Sequence, residues 1–281
     1  MTADTVHLRE IASTQGITVR RMDFDFPDSI PEFWCDNNAF LTAMMAGLSV
    51  TFPVGERYFI DSVRHYQDEV ADPALRAQIR AFIGQEANHS REHVALNEFL
   101  TRKGYPVASM EAFVRERLKT VQAQSTPAEN LARTVALEHF TAIMAKGFID
   151  HPDFLTRMHP TMARIWAWHS IEEVEHKSVA FDVYRACVND EKLRRKMMRE
   201  VTFFFVLMSS VRTVRILKSC GQLSNIRAWL RGLNVLWGMP GVFRQILPAY
   251  FAYYRKGFHP SQQADSDYTE TVKRHFLQMI S

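Results

Sequence analysis

Apolar residues recur at helical spacing along most of this 281-residue chain, and the punctuation between the periodic runs divides them into long helices. From about Asn37 to Val70 the pattern is helical, with Pro53 placed to kink or restart it a few residues before Glu56. Asp72-Pro73 supplies an N-cap and a first-turn proline, which predicts a helix running to about Lys103, where Gly104 ends it. A shorter segment, about Val107 to Gln122, leads to Ser125-Thr126-Pro127-Ala128-Glu129, the cap, proline and early acid of another start. That third long helix carries Glu138 and fades near His151-Pro152. After a loop containing His159-Pro160, a fourth is expected from about Thr161 to Cys187. Beyond Asn189, Lys192-Leu193-Arg194-Arg195-Lys196 opens a further helix, whose apolar run from Val201 to Met208 is broken by Arg212 and is too short for a bilayer span. Two aromatic-rich segments, about Ser224 to Trp237 and Pro240 to Lys256, and a last helix, about Asp267 to Ile280, complete the chain.

The start of the chain follows a different period. Ile17, Val19, Met22, Phe24 and Phe26 alternate with polar residues, which predicts an extended arm laid over the body. Elsewhere there is almost no convincing strand, no glycine-rich phosphate loop and no linker long enough to separate one domain from another. The expected architecture is all-α: an arm over 1–36, a four-helix bundle over 37–189, and a basic, aromatic-rich helical extension over 190–281 packed on the bundle.

Candidate chemistry falls on the long helices. Two Glu-x-x-His pairs, Glu86/His89 and Glu173/His176, each place both side chains on one helix face. A single pair is weak, since roughly one arises by chance in a chain of this length. The arrangement is stronger: Glu56 and Glu138 each lie on the helix preceding a pair, so the order Glu, then Glu-x-x-His, occurs twice. That is the dimetal bundle pattern, in which four carboxylates and the histidines point inward. Phe52, Val54, Phe59 and Ile60 surround Glu56, and Val135, Leu137, Phe140 and Ile143 surround Glu138. A carboxylate in such company needs compensation, and four of them balance two divalent cations. His169 extends the stripe of Glu173 and His176 and makes a seventh ligand; His93 is equally placed relative to Glu86 and His89, as a ligand, a supporting residue or an unrelated polar residue. His139, Glu172 and Glu175 turn away from the inward face, towards a supporting role or the helix surface. Oxygen and imidazole donors without thiolate favour two iron or manganese ions, or a mixed pair, over a structural zinc.

Charge and cysteines narrow the setting. Cys35, Cys187 and Cys220 are far apart and form no CxxC, which fits a reducing cytoplasm, and the first 30 residues do not read as a signal peptide. From Val201 to His259 there is no Asp or Glu but a charge of +8, leaving −5 for the rest of a chain whose net charge is +3. Trp229, Trp237, Phe243, Tyr250, Phe251, Tyr253, Tyr254 and Phe258 alternate with those basic residues. Such a segment suits an acidic or acyl-chain substrate, or peripheral contact with an anionic membrane at its inner face; aromatic residues at helical spacing equally suit a core. Nucleic acid is disfavoured, because no recognised module accompanies the charge.

With those residues in hand, the chain resembles the ferritin-like di-iron carboxylate proteins over about Asn37 to Cys187. His169-x-x-x-Glu173-x-x-His176 is most similar to the arylamine N-oxygenase branch, whose site has four glutamates and three histidines. Gly84-Gln85-Glu86-Ala87-Asn88-His89 and Trp168-His169-Ser170-Ile171-Glu172-Glu173-Val174-Glu175-His176-Lys177 also resemble a bacterial family catalogued as predicted metal-dependent hydrolases. The C-terminal hundred residues carry no such resemblance. The first resemblance implies a non-haem di-iron oxidase or oxygenase that activates O₂ and draws on an external electron donor, acting on a small organic or lipid-like molecule. The second implies hydrolysis by a water activated between two metals. Ferritin-type iron handling is the third expectation, and a homodimer is the assembly considered.

Overall fold

The computed structural model describes residues 9–14 and 16–263, with residues 270, 271, 273, 274 and 276 beyond them. The expected last helix, about Asp267 to Ile280, lies largely outside the described residues; Glu270, Thr271, Lys273, Arg274 and Phe276 are helical. The fold is all-α apart from one hairpin, and its elements follow the punctuation of the sequence closely.

The arm begins as a two-stranded antiparallel sheet, β1 (Arg9–Thr14) and β2 (Ile17–Arg21), turned at Gly16 with φ +86°. This corrects the expectation of a merely extended segment. β1 offers only Ile11 and Ala12 as apolar residues, too few to show a period, and its pairing comes from the backbone. Downstream, Met22, Phe24 and Phe26 are buried while Arg21, Asp23 and Asp25 are exposed, so the alternation operates as written. β2 lies across the helix that carries Glu86 at Gly84, where a Cβ would stand 3.1 Å from Val19 Cγ2; glycine permits that approach.

α1 (Ala39–Ser49) is capped by the Asn38 side chain, which accepts from the Leu41 N–H, and it is buried all round. The chain breaks at Val50-Thr51 and restarts as α2 (Phe52–His65), with Pro53 in its first turn. By length and composition the stretch Ala39–His65 could cross a membrane, but 72% of its most apolar window is buried inside the fold, as in a core helix. α3 (Pro73–Arg102) is capped by Asp72 and ends at Gly104, φ +85°. α4 (Val107–Gln124) leads to α5 (Pro127–Asp150), whose start is a capping box between Thr126 and Glu129. A short α6 (Pro152–Thr156) fills the connection to α7 (Pro160–His176).

The single helix expected from Thr161 to Cys187 is two. α7 lapses at Lys177-Ser178, and α8 (Val179–Cys187) resumes with both linking residues still in right-handed helical dihedrals. No Gly or Pro marks the interruption; Val179, Ala180, Phe181, Val183 and Tyr184 of α8 instead turn into a different apolar cluster from that of α7. α9 (Glu191–Ser219), capped by Asp190, then packs on α1 and α5, followed by α10 (Ile226–Trp237) and α11 (Val242–Ala252). Arg212 does not break α9: it is buried and donates Nε–H to Gly47 O at 3.0 Å. Arg231 pairs with Asp36 at 3.1 Å, so some of the basic segment's charge is answered within the chain.

α2, α3, α5 and α7 close into a four-helix group through the pairs α2–α3, α2–α5, α5–α7 and α3–α7. Two apolar clusters occupy its ends. On α3, Ile79 and Phe82 belong to one cluster and Leu96, Phe99 and Leu100 to the other. On α5, Leu131 to Phe140 face the first and Met144 to Ile149 the second. The layer between holds Glu86, His89, His93, Glu138, His169, Glu173 and His176, all buried. Burying so many polar groups between two dry clusters is unfavourable unless something satisfies them.

Candidate metal centre

The helical period brings the sequence-predicted residues together. His176 Nε2 lies 3.2 Å from Glu86 Oε1, 3.4 Å from Glu138 Oε2 and 3.6 Å from Glu173 Oε2. His89 Nδ1 lies 3.9 Å from Glu86 Oε2 and from Glu173 Oε1, and its ring stacks on that of His169 with centroids 4.1 Å apart. Three groups have ligand atoms within 4.8 Å of one another: Glu56/His89/His169, Glu86/His89/Glu173 and Glu86/Glu138/His176. Donors held about 2.1 Å from a common ion stand roughly 3–3.5 Å apart, close to several of these separations.

The donor atoms themselves point to a cation. Glu56 Oε1, both oxygens of Glu86 and of Glu138, Glu173 Oε2, His89 Nδ1 and His176 Nε2 are buried and have no hydrogen-bond partner among the described residues. Such orphans are rare in a folded interior, and eight converging on one layer fit a pair of ions.

The outer edges of the histidines fix which nitrogen faces inward. Gln85 Nε2 donates to Thr18 O and Glu175 Oε2, both at 2.9 Å, so its Oε1 is the acceptor for His176 Nδ1–H at 2.9 Å. That turns His176 Nε2 to the carboxylates. His169 is set by a longer relay. Asn97 Nδ2 donates to Glu111, so its Oδ1 takes the Ser49 hydroxyl proton at 2.8 Å. Ser49 Oγ then accepts from His93 Nδ1–H at 2.9 Å, and His93 Nε2 accepts from His169 Nδ1–H at 2.7 Å. That relay turns His169 Nε2 inward, where it meets Glu173 Oε1 at 3.0 Å. His89 turns Nε2 to Glu172 Oε2 at 3.0 Å, which leaves Nδ1 facing Glu86 and Glu173. Fixing tautomers from outside is how metal-ligating histidines are supported.

Residues 18–264 match the family model described as predicted metal-dependent hydrolase. The chain belongs to that family. The resemblance drawn from the Gly84–His89 and Trp168–Lys177 motifs is thereby borne out, and it reaches further than those motifs, because the match includes the C-terminal helices through residue 264. No match was found among curated proteins or among solved structures.

His93 falls outside all three ligand groups and pairs with His169 at 2.7 Å. Glu172 and Glu175 are not at the helix surface: Arg20 of β2 bridges them, donating to Glu172 at 3.1 Å and bidentately to Glu175 at 2.8 and 2.9 Å. Arg20, Gln85 and Ser49 were not singled out from the sequence. The signal for Arg20 was a phase slip, since the inward set runs Ile17, Val19 and then Met22, leaving an arginine inside the turn of phase. His139 is buried elsewhere, against Ala249 O at 3.2 Å.

In the metal-free chain the layer holds protons. Burial pushes the carboxyls of Glu56 and Glu86 well up, that of Glu138 to about 7 and that of Glu172 to about 8. Burial acts in the same sense on Glu173, but His176 and His169 overcome it and draw this carboxyl down; His176 is raised in return, against its own desolvation. Burial lowers His89 and His93. Metal binding must displace these protons, so affinity rises with pH. Gln85→Leu, which strips His176 of its acceptor, is expected to weaken metal binding about 10–100-fold, measured by competition with a chromophoric chelator. An unchanged affinity would show that His176 is not oriented through Gln85.

Proposed function

We propose that the chain is a dimetal hydrolase in which Glu56, Glu86, His89, Glu138, His169, Glu173 and His176 hold two divalent cations in a ferritin-like arrangement of α2, α3, α5 and α7. The convergence of unpartnered donors from four helices carries this reading, and the family's description supports the reaction class. Four carboxylates match the charge of two divalent ions, while the histidines contribute neutral lone pairs.

Such ions, when bound, polarise a substrate oxygen and lower the pKa of a water from 15.7 towards 7. The protein's own residues do the rest. Glu86 and Glu173 each lie within reach of both His89 and His176, which suits carboxylates shared between two ions. Phe82 edges onto His176 and Trp168 onto His89, with centroids 4.9 Å apart in both cases, and these rings exclude bulk water. A cavity of about 20 Å³ touches the layer, lined by His169, Glu173, Phe52 and Trp166 among others. Glu173 is the proposed ligating carboxylate that borders it, and so the one placed to take a proton from a water attacking a substrate there.

A second reading, O₂ activation at two irons, is favoured by the donor set, which is all oxygen and imidazole and enclosed by aromatic rings. One pair of experiments separates them. Zn(II)- or Mn(II)-loaded protein is expected to hydrolyse acyl esters under anaerobic conditions. Protein loaded with Fe(II) anaerobically and then exposed to air tests the alternative: O₂ uptake with a transient visible absorption, and no hydrolysis by the Zn(II) or Mn(II) forms, would replace the hydrolytic reading.

A further inference from the structure

A second cavity, of about 380 Å³, opens among α1, α5, α9, α10 and α11, within the size range of small-molecule sites. Among the described residues, no charged one lines it. The hydroxyls in its wall are largely committed: Thr202 donates to Met198 O, Ser210 to Val206 O and Thr213 to Ser209 O, while Tyr250 pairs with Thr202. The wall thus offers an occupant apolar contact and little else.

Its two ends differ. At the outer end Val206, Leu233 and Trp237 both line the cavity and are exposed, 58%, 41% and 46% respectively, so the mouth opens through an apolar surface. At the inner end Leu48 and Met144 line this cavity and also the small one bordered by His169 and Glu173. Two side chains therefore form the partition between an apolar channel and the polar layer. Methionine is unbranched and turns readily about its side-chain bonds, which suits a movable partition.

We infer that this channel binds an unbranched acyl or alkyl chain, entering between α9 and α10 and passing Leu48 and Met144 to present its functional end to Glu173 and His169. The inner half of the inference rests on the metal reading above; the outer half does not. A compact ring could fill the outer cavity, but only an extended chain occupies both cavities in series.

Titration of the full chain with 11-(dansylamino)undecanoic acid, with and without Mn(II), tests it. Saturable fluorescence enhancement is expected in both forms, and straight-chain alcohols should displace the probe about fourfold more tightly per added methylene until the channel is full. Leu233→Arg at the mouth, or Ser210→Arg on the exposed side of α9, should weaken binding at least about tenfold without changing metal content. With Mn(II) bound, dodecanoate ¹³C-labelled at its carboxyl carbon should show strong paramagnetic relaxation, and Met144→Trp should abolish that relaxation while the probe still binds. Competition by phosphatidylcholine vesicles as well as by dodecanoate would assign the chain to a lipid, and competition by dodecanoate alone to a free acid or its ester. Absence of saturable binding, displacement independent of chain length, or insensitivity to both mouth variants would overturn the channel. Chain binding without relaxation in Mn(II)-loaded protein would overturn its continuity with the metal layer, and failure of Mn(II) to bind would leave the channel result standing and sink the metal reading alone.

Discussion

Stripping the metal with a chelator is expected to lower the melting temperature by on the order of 10 °C or more, and the gap should widen from pH 6.5 to pH 8.5. Each site stabilises the fold by about 4 kcal/mol when free ion exceeds its Kd a thousandfold. In a chain of this size a kcal/mol moves Tm by about 2–4 °C. The pH term follows from the buried layer. Glu56, Glu86 and Glu138 have folded pKa values raised above their unfolded ones, so the metal-free fold binds protons that the unfolded chain has released. Stability from a raised carboxyl is complete below about 4.5 and is lost as pH climbs to the folded value. For Glu138 that window closes near 7 and is worth about 3 kcal/mol. Glu56 and Glu86 act in the same direction, as do Glu172, raised to about 8, and His176, whose raised pKa has the same sign. His89 and His93 act oppositely, but only below about 6.5, where the unfolded imidazoles charge and the buried ones do not. Between pH 6.5 and 8.5 the metal-free protein should therefore weaken while the loaded protein binds metal more tightly. Calorimetric scans of both forms at both pH values decide it; a metal-free Tm that rises with pH over that range would contradict the proton-loaded layer.

Glu86→Met should give opposite signs in two assays. Glu86 belongs to two of the three ligand groups and both its oxygens lack partners, whereas Glu138 belongs to one group. Elemental analysis is expected to fall from two ions per chain to at most one, with hydrolysis reduced at least about a thousandfold, equivalent to about 4 kcal/mol of transition-state stabilisation. Yet the metal-free variant should melt above the metal-free parent at pH 8.5, because a desolvated carboxyl has been replaced by an apolar side chain of similar volume. Glu138→Met should lose a single ion. Full metal content in Glu86→Met would mean that Glu86 is not one of the ligands.

Much of this was legible in the sequence because helices announce themselves locally. Asp72-Pro73, Thr126-Pro127-Ala128-Glu129 and Gly104 mark ends through chemistry confined to a few neighbours. The repeated order of Glu56, then Glu86 and His89, and of Glu138, then Glu173 and His176, is equally local, since residues three apart share a face whatever the helix packs against. What stayed hidden depends on partners distant in the chain. Glu172 and Glu175 read as outward because their helix supplies no reason for a second buried face; that reason is Arg20, more than 150 residues away. The lapse at Lys177-Ser178 has no breaker residue, and β1 has too little apolar character to reveal its pairing. The larger cavity forms among α1, α5, α9, α10 and α11, and no single helix foreshadows it.

The clamp made by Arg20 also orders events in time. Translation delivers β2 first, and the carboxylates it grips follow after more than 150 further residues, roughly 8–30 s later at about 5–20 residues per second. Glu56, Glu86 and His89 emerge during that interval, but His176, placed among the carboxylates, and Gln85's acceptor role for it come together only when α7 docks on α3. A nascent chain stopped before α7 would hold Arg20 without its anions and half of a donor set without its counterpart. On the proposed metal reading the donor set is complete only once α7 has emerged, so a product truncated before α7 should emerge without metal and exposed to quality-control proteases.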